Sequence, residues 1–129
     1  MIVGIGIDLI EIPRIEAALT RHGDRFAQRV LSEREYARFK THRRPAAYLA
    51  KRFAAKEAFS KAMGTGIRTP VTWRNIAVMN HPSGCPCFEL APALQDLLDR
   101  RGIRGAHVSL TDEKSMAAAY VILEGEQHA

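Results

Sequence analysis

Hydrophobic and polar positions divide the chain into two halves. Ile2 to Leu9 is dense in β-branched residues with two glycines, which predicts a buried strand. Pro13 suits the first turn of a helix, and Ile15, Ala18 and Leu19 follow at helical spacing; Gly23 ends or bends that helix. A short helical piece is expected near Asp24 to Leu31, with Phe26 and Val30 one turn apart. Ser32 and Glu35 have the spacing of a capping box and start a helix through about Lys40. Pro45 opens the longest helical pattern, Ala46 to Met63, and Gly64 closes it. Thr65-Gly66 and Thr69-Pro70 mark a loop. Strand patterns then dominate, at about Arg74–Met79, Cys87–Leu90, His107–Leu110 and Ala117–Leu123. The last two meet at a turn around Asp112-Glu113-Lys114-Ser115. A short helix, Pro92 to about Arg101, interrupts them and stops at Gly102. Helices first and strands later argue for an α+β fold, an antiparallel sheet packed on a long central helix, rather than alternating βαβ units.

Length changes this picture little. The 129 residues suit a single domain, 1–129, without repeats or linkers. With 47% hydrophobic and 26% charged residues, the chain can bury a core without disulfides. No apolar run has the roughly 18 residues of a membrane span. The N-terminus lacks a secretory signal, so the expected compartment is the cytoplasm. Cys85 and Cys87, one residue apart, are expected as free thiols there.

Charge adds a partner class. A net charge of +5 and a sequence pI near 9.6 favour polyanions: nucleic acid, phosphorylated small molecules or an acidic protein. An aromatic share of 7%, with no helix-turn-helix, RNA-recognition or zinc-finger pattern, weighs against nucleic acid. Were the first helix to continue past Gly23, Arg14, Arg21 and Arg25 would fall within about 40° of one another. Such a stripe is either a solvated basic face or a docking site for an acidic helix.

Candidate chemistry centres on the long helix. Its apolar positions spread nearly all the way round, as in a buried helix, yet it carries five charges, among them Arg52, Lys56, Glu57 and Lys61. Glu57 and Lys61, at i and i+4, form either a salt bridge or a metal-binding carboxylate beside a phosphate-binding lysine. Asp8, where the first strand emerges, caps a turn or ligates a metal. If Asp8 and Glu57 met, two hard carboxylates would suit magnesium. Gly64-Thr65-Gly66 lacks the full spacing of a P-loop; it terminates the helix or brings backbone to a phosphate. His107, in a strand pattern, is a core histidine or a phosphate contact.

Several segments resemble one family. Gly6-Ile7-Asp8-Leu9-Ile10-Glu11-Ile12, with Arg14 two residues on, is similar to the opening of the small bacterial phosphopantetheinyl transferases, the holo-acyl-carrier-protein synthases. Arg52-Phe53-Ala54-Ala55-Lys56-Glu57-Ala58-Phe59-Ser60-Lys61-Ala62, running into Gly64-Thr65-Gly66, resembles their central signature. Trp73-Arg74-Asn75-Ile76 and His107-Val108-Ser109-Leu110-Thr111-Asp112-Glu113 follow in the expected order. Asn75 and Ala77 stand where members often carry acidic residues, and Cys85 and Cys87 lie outside the usual pattern.

The resemblance implies a phosphopantetheinyl transferase-like fold. It implies transfer of the 4′-phosphopantetheine arm of coenzyme A to a serine of an apo-acyl carrier protein, with 3′,5′-ADP as the other product. Asp8 and Glu57 would then hold magnesium. Glu57 or a magnesium-bound water would take the serine proton, and Lys61 would stabilise phosphate charge. Arg52, Lys61, Gly64 and His107 would contact coenzyme A, and Arg14, Arg21 and Arg25 would dock the acidic carrier. It further implies a homotrimer with active sites at subunit interfaces.

Overall fold

A computed structural model describes residues 1–126. Strand β1 (Ile2–Glu11) leads into α1 (Ile12–His22), α2 (Asp24–Val30), α3 (Glu33–Thr41) and the long α4 (Pro45–Met63). A 3₁₀ turn (Trp73–Asn75) precedes β2 (Ile76–Asn80) and β3 (Pro86–Leu90), followed by α5 (Pro92–Arg100), β4 (Ile103–Asp112) and β5 (Met116–Gly125). The fold is α+β, and every strand pairing in it is antiparallel. One sheet has the order β1-β5-β4; the β2-β3 hairpin forms a second.

Local chemistry accounts for most helix ends. Pro13, Pro45 and Pro92 lie where the orphan backbone N–H groups of a first turn need no partner. Ser32 and Glu35 form the expected reciprocal cap: Glu35 N–H donates to Ser32 Oγ and Ser32 N–H to Glu35 Oε1. Gly64 closes α4 at φ 77°, a left-handed conformation that costs glycine little. Gly23, at φ 63°, separates α1 from α2. The continuous helix that would align Arg25 with Arg14 and Arg21 therefore does not form.

Helix α4 lies across the β1-β5-β4 sheet and lends residues to both hydrophobic clusters. Ala54, Ala58, Phe59, Ala62 and Met63 join Val121, Leu123, Ile76 and Leu94; Ala47, Tyr48, Leu49 and Ala50 join Ile12, Ile15, Val30 and Phe39. Contact with β1 is close enough to exclude side chains. A Cβ on Gly6 would collide with the Ala58 carbonyl oxygen, and one on Gly4 with that of Ala62.

Strand β1 departs from the expected buried strand. Gly4, Gly6, Asp8 and Ile10 face α4, but Ile5, Ile7 and Leu9 are exposed on the other side. A run of apolar residues with period-two burial is a sheet covered on one face only. Register extends this bare face: Ile5 pairs with Ile122 and Ile7 with Tyr120. It then reaches β4, where Ile122 pairs with His107 and Tyr120 with Ser109. The segment from Trp73 is another departure: the strand begins at Ile76 because residues 73–75 form the 3₁₀ turn.

Candidate active site

The five charges of α4 each find a partner from another element. Lys51 Nζ lies 3.2 Å from Asp112 Oδ1. Arg52 Nη2 donates to Asn80 Oδ1 at 2.9 Å, and its guanidinium sits over the Tyr48 ring, 4.1 Å from the centroid. Lys56 Nζ donates to Glu35 Oε1 and to the Val30 carbonyl, both at 2.6 Å. Glu57 Oε2 accepts from Trp73 Nε1–H at 3.0 Å. Lys61 Nζ donates to Asp8 Oδ1 at 3.0 Å and to the Ile7 carbonyl at 3.1 Å.

These contacts differ from the local pairings that spacing allows. The i, i+4 salt bridge between Glu57 and Lys61 is replaced by bonds to Trp73 and Asp8. Asp8 caps no turn: it lies within β1, opposite Ala119, on the face toward α4. The glycines at 4 and 6 let α4 lie flat on β1, which brings the Lys61 ammonium to the strand. Glu57 lies one helical turn before Lys61 on α4, but the two are not paired with each other: Lys61 reaches Asp8 and Glu57 reaches Trp73. Lys61 itself is exposed, whereas the Asp8 side chain is mostly covered.

The donor set fits a hard cation. Asp8 Oδ2 and Glu57 Oε1 have no hydrogen-bond partner among the described residues, so each carboxylate keeps one free oxygen. Magnesium takes one or two protein carboxylates and fills its other positions with water and phosphate oxygens. No cluster of three or more His, Cys, Asp or Glu side chains suited to a metal occurs among the described residues. The pair Asp8 and Glu57 is the candidate, and Cys85 and Cys87 are free thiols.

Three expected coenzyme contacts stand apart from this centre. Arg52 is only 5% exposed, and a direct phosphate contact would require it to leave Asn80. Its Nε, buried and without a hydrogen-bond partner, is the one such atom among the described side chains. His107 is neither a core histidine nor near Asp8; it is exposed on the opposite face of the sheet, with Nε2 2.6 Å from Glu124 Oε1. Gly64 acts as a helix terminator: its N–H donates to Lys61 O, and those of Thr65 and Gly66 donate to Ser60 O. The turn's amides thus point back at the helix. Arg14 and Arg21 border a shallow recess on α1 with Ala17, Ala18, Thr20 and His22. Arg25 borders a different one, with Gln28, Arg29, Trp73 and Arg74.

Two features escaped sequence reasoning. Glu35 reads as a cap residue but also holds Lys56 and the Val78 N–H, at 2.8 Å, in full burial. Burial pushes Lys56 down to about 8, with the Glu35 charge pulling the other way. Trp73, part of a recognisable segment, gave no sign from spacing that it would bind Glu57.

The fold and this carboxylate–lysine centre define a class, and the comparisons agree. Residues 4–121 match the family model described as the 4′-phosphopantetheinyl transferase superfamily. A holo-acyl-carrier-protein synthase of Bordetella pertussis is 55% identical over 128 residues, spanning 95% of this chain and 83% of the relative. The crystal structure of holo-acyl-carrier-protein synthase from Neisseria meningitidis matches with a TM-score of 0.94 at 44% identity, over 96% of this chain and 99% of that one. The Bacillus anthracis enzyme, solved in complex with CoA (3′,5′-ADP), matches with a TM-score of 0.81 at 40% identity, over 98% and 99% of the two chains. The chain belongs to the 4′-phosphopantetheinyl transferase superfamily.

Proposed function

We propose that this protein is a holo-acyl-carrier-protein synthase: it transfers the 4′-phosphopantetheine arm of coenzyme A to a serine of an apo-acyl carrier protein, in support of fatty acid synthesis. The observation that carries the reading is the Lys61–Asp8 contact between α4 and β1, with Glu57 one turn away, in a chain of this family. The serine oxygen forms a bond to the phosphorus bearing the pantetheine. The phosphoanhydride bond breaks, 3′,5′-ADP leaves, and the serine proton passes to a base at Glu57 or to water beside it.

Much of the catalysis of phosphoryl transfer is positioning and charge neutralisation. Asp8 Oδ2 and Glu57 Oε1 would hold magnesium, which supplies positive charge to the pyrophosphate. Lys61, tethered by Asp8 and the Ile7 carbonyl yet exposed, offers a point cation to the same phosphates. His107 is exposed for a second phosphate contact. Arg52 supports the hairpin through Asn80 and contributes to the coenzyme site only after rearrangement. Gly64, left-handed at φ 77°, turns the chain away three residues after Lys61, where the coenzyme would lie.

The assembly we infer is a homotrimer. The exposed Ile5, Ile7, Leu9 and Tyr120 form an apolar sheet face of the kind that a second copy covers. His107 lies on that face while Asp8 lies on the other, so a site using both draws on two copies. Arg14, Arg21 and Arg25 would dock the acidic carrier helix, the first two from α1 and the third from α2. No helix among the described residues is long and apolar enough to cross a membrane. Free Cys85 and Cys87 suit the reducing cytoplasm. Chain 1–129 acts as a single domain in this reading.

The test is the intact mass of an apo-acyl carrier protein incubated with the enzyme, coenzyme A and magnesium. The expected result is a gain of one phosphopantetheine arm, abolished by EDTA and by Asp8→Ala. No gain with several carriers, from a folded enzyme, would leave a non-catalytic binding domain.

A further inference from the structure

Glu57 is held by a residue outside the two elements that build the centre. Trp73 Nε1–H donates to Glu57 Oε2 at 3.0 Å. Indole nitrogen is a donor only, so its natural partner is the ionised carboxylate, and hydrogen bonds to a charged group are the strong ones. A glutamate side chain has several rotamers. Anchoring one oxygen to a half-buried ring selects among them while leaving Oε1 without a partner among the described residues.

The anchor is itself anchored. The Trp73 ring packs on Phe53 at 5.6 Å between centroids, and Phe53 on Phe26 at 6.4 Å. The 3₁₀ turn is tied twice at its last residue. Asn75 Nδ2 donates to the Pro70 carbonyl at 2.9 Å, and Ala91 N–H donates to the Asn75 carbonyl at 3.0 Å. The same ring borders the recess of Arg25, Gln28, Arg29 and Arg74, so a partner seated on that basic surface touches the group that orients Glu57.

We propose that Trp73 is a positioning residue for the transfer reaction: its indole N–H fixes Glu57 Oε2 so that Oε1 stays aimed for the ligand. This rests on the assignment of Glu57 to the reacting centre. Phenylalanine at this position would keep the stacking and lose the donor.

Trp73 is the only tryptophan of the chain. Biosynthetic replacement of tryptophan by β-(3-benzothienyl)alanine therefore changes this one ring, putting sulfur in place of its N–H and so removing the donor with little change of shape. The expected result is an unfolding midpoint near that of the native protein, a KM for coenzyme A within about twofold and kcat lower by about tenfold. Trp73→Phe shows the same split. In the native protein, magnesium chloride alone changes Trp73 fluorescence, and Glu57→Gln removes that response. Native kcat in the benzothienyl protein, with Glu57→Gln inactive, overturns the proposal and leaves the Glu57 assignment standing. Full activity in Glu57→Gln overturns both. Fluorescence indifferent to saturating magnesium also counts against the proposal, whatever the fate of the variants.

Discussion

Lys56 and Glu35 meet at 2.6 Å with neither side chain exposed to solvent. Around that pair the Ser32 and Val78 N–H groups donate to Glu35, and the Val30 carbonyl accepts from Lys56. One ion pair thereby joins α2, α3, α4 and β2 immediately beside Glu57. Removing one partner leaves the other charge buried, at a cost of about 3–5 kcal/mol. Lys56→Met and Glu35→Gln should each lose stability on that scale in urea unfolding, and the double variant should lose less than the sum of the two.

The same lysine gives stability a pH dependence. Burial lowers its folded-state value from 10.5 to about 8, whereas the unfolded chain keeps the proton to about 10.5. Between those values the unfolded state binds more protons, so this group's contribution raises stability as pH rises from about 8. Relative to Lys56→Met, the native protein should gain about 1 kcal/mol between pH 7 and pH 9. Urea unfolding of both proteins at the two pH values measures it.

Gly6→Ala should damage both fold and activity. The added methyl collides with the Ala58 carbonyl oxygen and comes within 2.8 Å of the Ala62 nitrogen, neither of which is a flexible group. Separating β1 from α4 costs about 1–3 kcal/mol and withdraws Asp8 from Lys61. Gly64→Ala is the contrasting case: nothing crowds it, and only the left-handed conformation opposes it, at about 1 kcal/mol. Thermal unfolding and the carrier mass assay on both variants separate the two effects.

Docking on Arg14 and Arg21 should be sensitive to salt. Neither side chain forms an ion pair among the described residues, and a net charge of +5 adds long-range attraction for an acidic carrier. Raising ionic strength toward 1 M, where the screening length falls to about 3 Å, should raise KM for the carrier with little change in kcat. Arg14→Ala and Arg21→Ala should raise the same KM and flatten its salt dependence.

The bare sheet face should govern assembly. Ile7→Lys places a charge among Ile5, Leu9 and Tyr120, and sedimentation should then find the 14.4 kDa protomer. Because His107 and Asp8 lie on opposite faces, a mixture of Glu57→Gln and His107→Ala chains should recover part of the activity that each lacks. Unaltered sedimentation of Ile7→Lys would place the contact between copies elsewhere.

Much of the fold is legible because it is local. Three prolines, the Ser32–Glu35 cap and Gly64 mark helix ends through interactions spanning a few residues, and each stands where its pattern puts it. Less of the site is legible. Periodicity identifies an apolar stretch in β1 but not how many of its faces are covered, since that depends on a sheet partner about 115 positions away in sequence. Arg52 and His107 illustrate the same limit. Each is a plausible phosphate contact by type, yet one is turned inward to Asn80 and the other outward beside Glu124.

Legible in the sequence alone are the order of the elements, the helix ends, the buried character of α4 and the signature that marks the family, all properties of residues near one another in the chain; the strand bounds are not, as the 3₁₀ turn at Trp73–Asn75 shows. Tertiary structure alone decided which charges meet. Helical spacing joins Glu57 to Lys61, but glycine at positions 4 and 6 lets β1 lie so close to α4 that Lys61 reaches Asp8 instead. Glu57 is then left to a tryptophan sixteen residues away. A side chain takes the partner that packing brings within hydrogen-bond range, and that range is set by how closely two backbones approach.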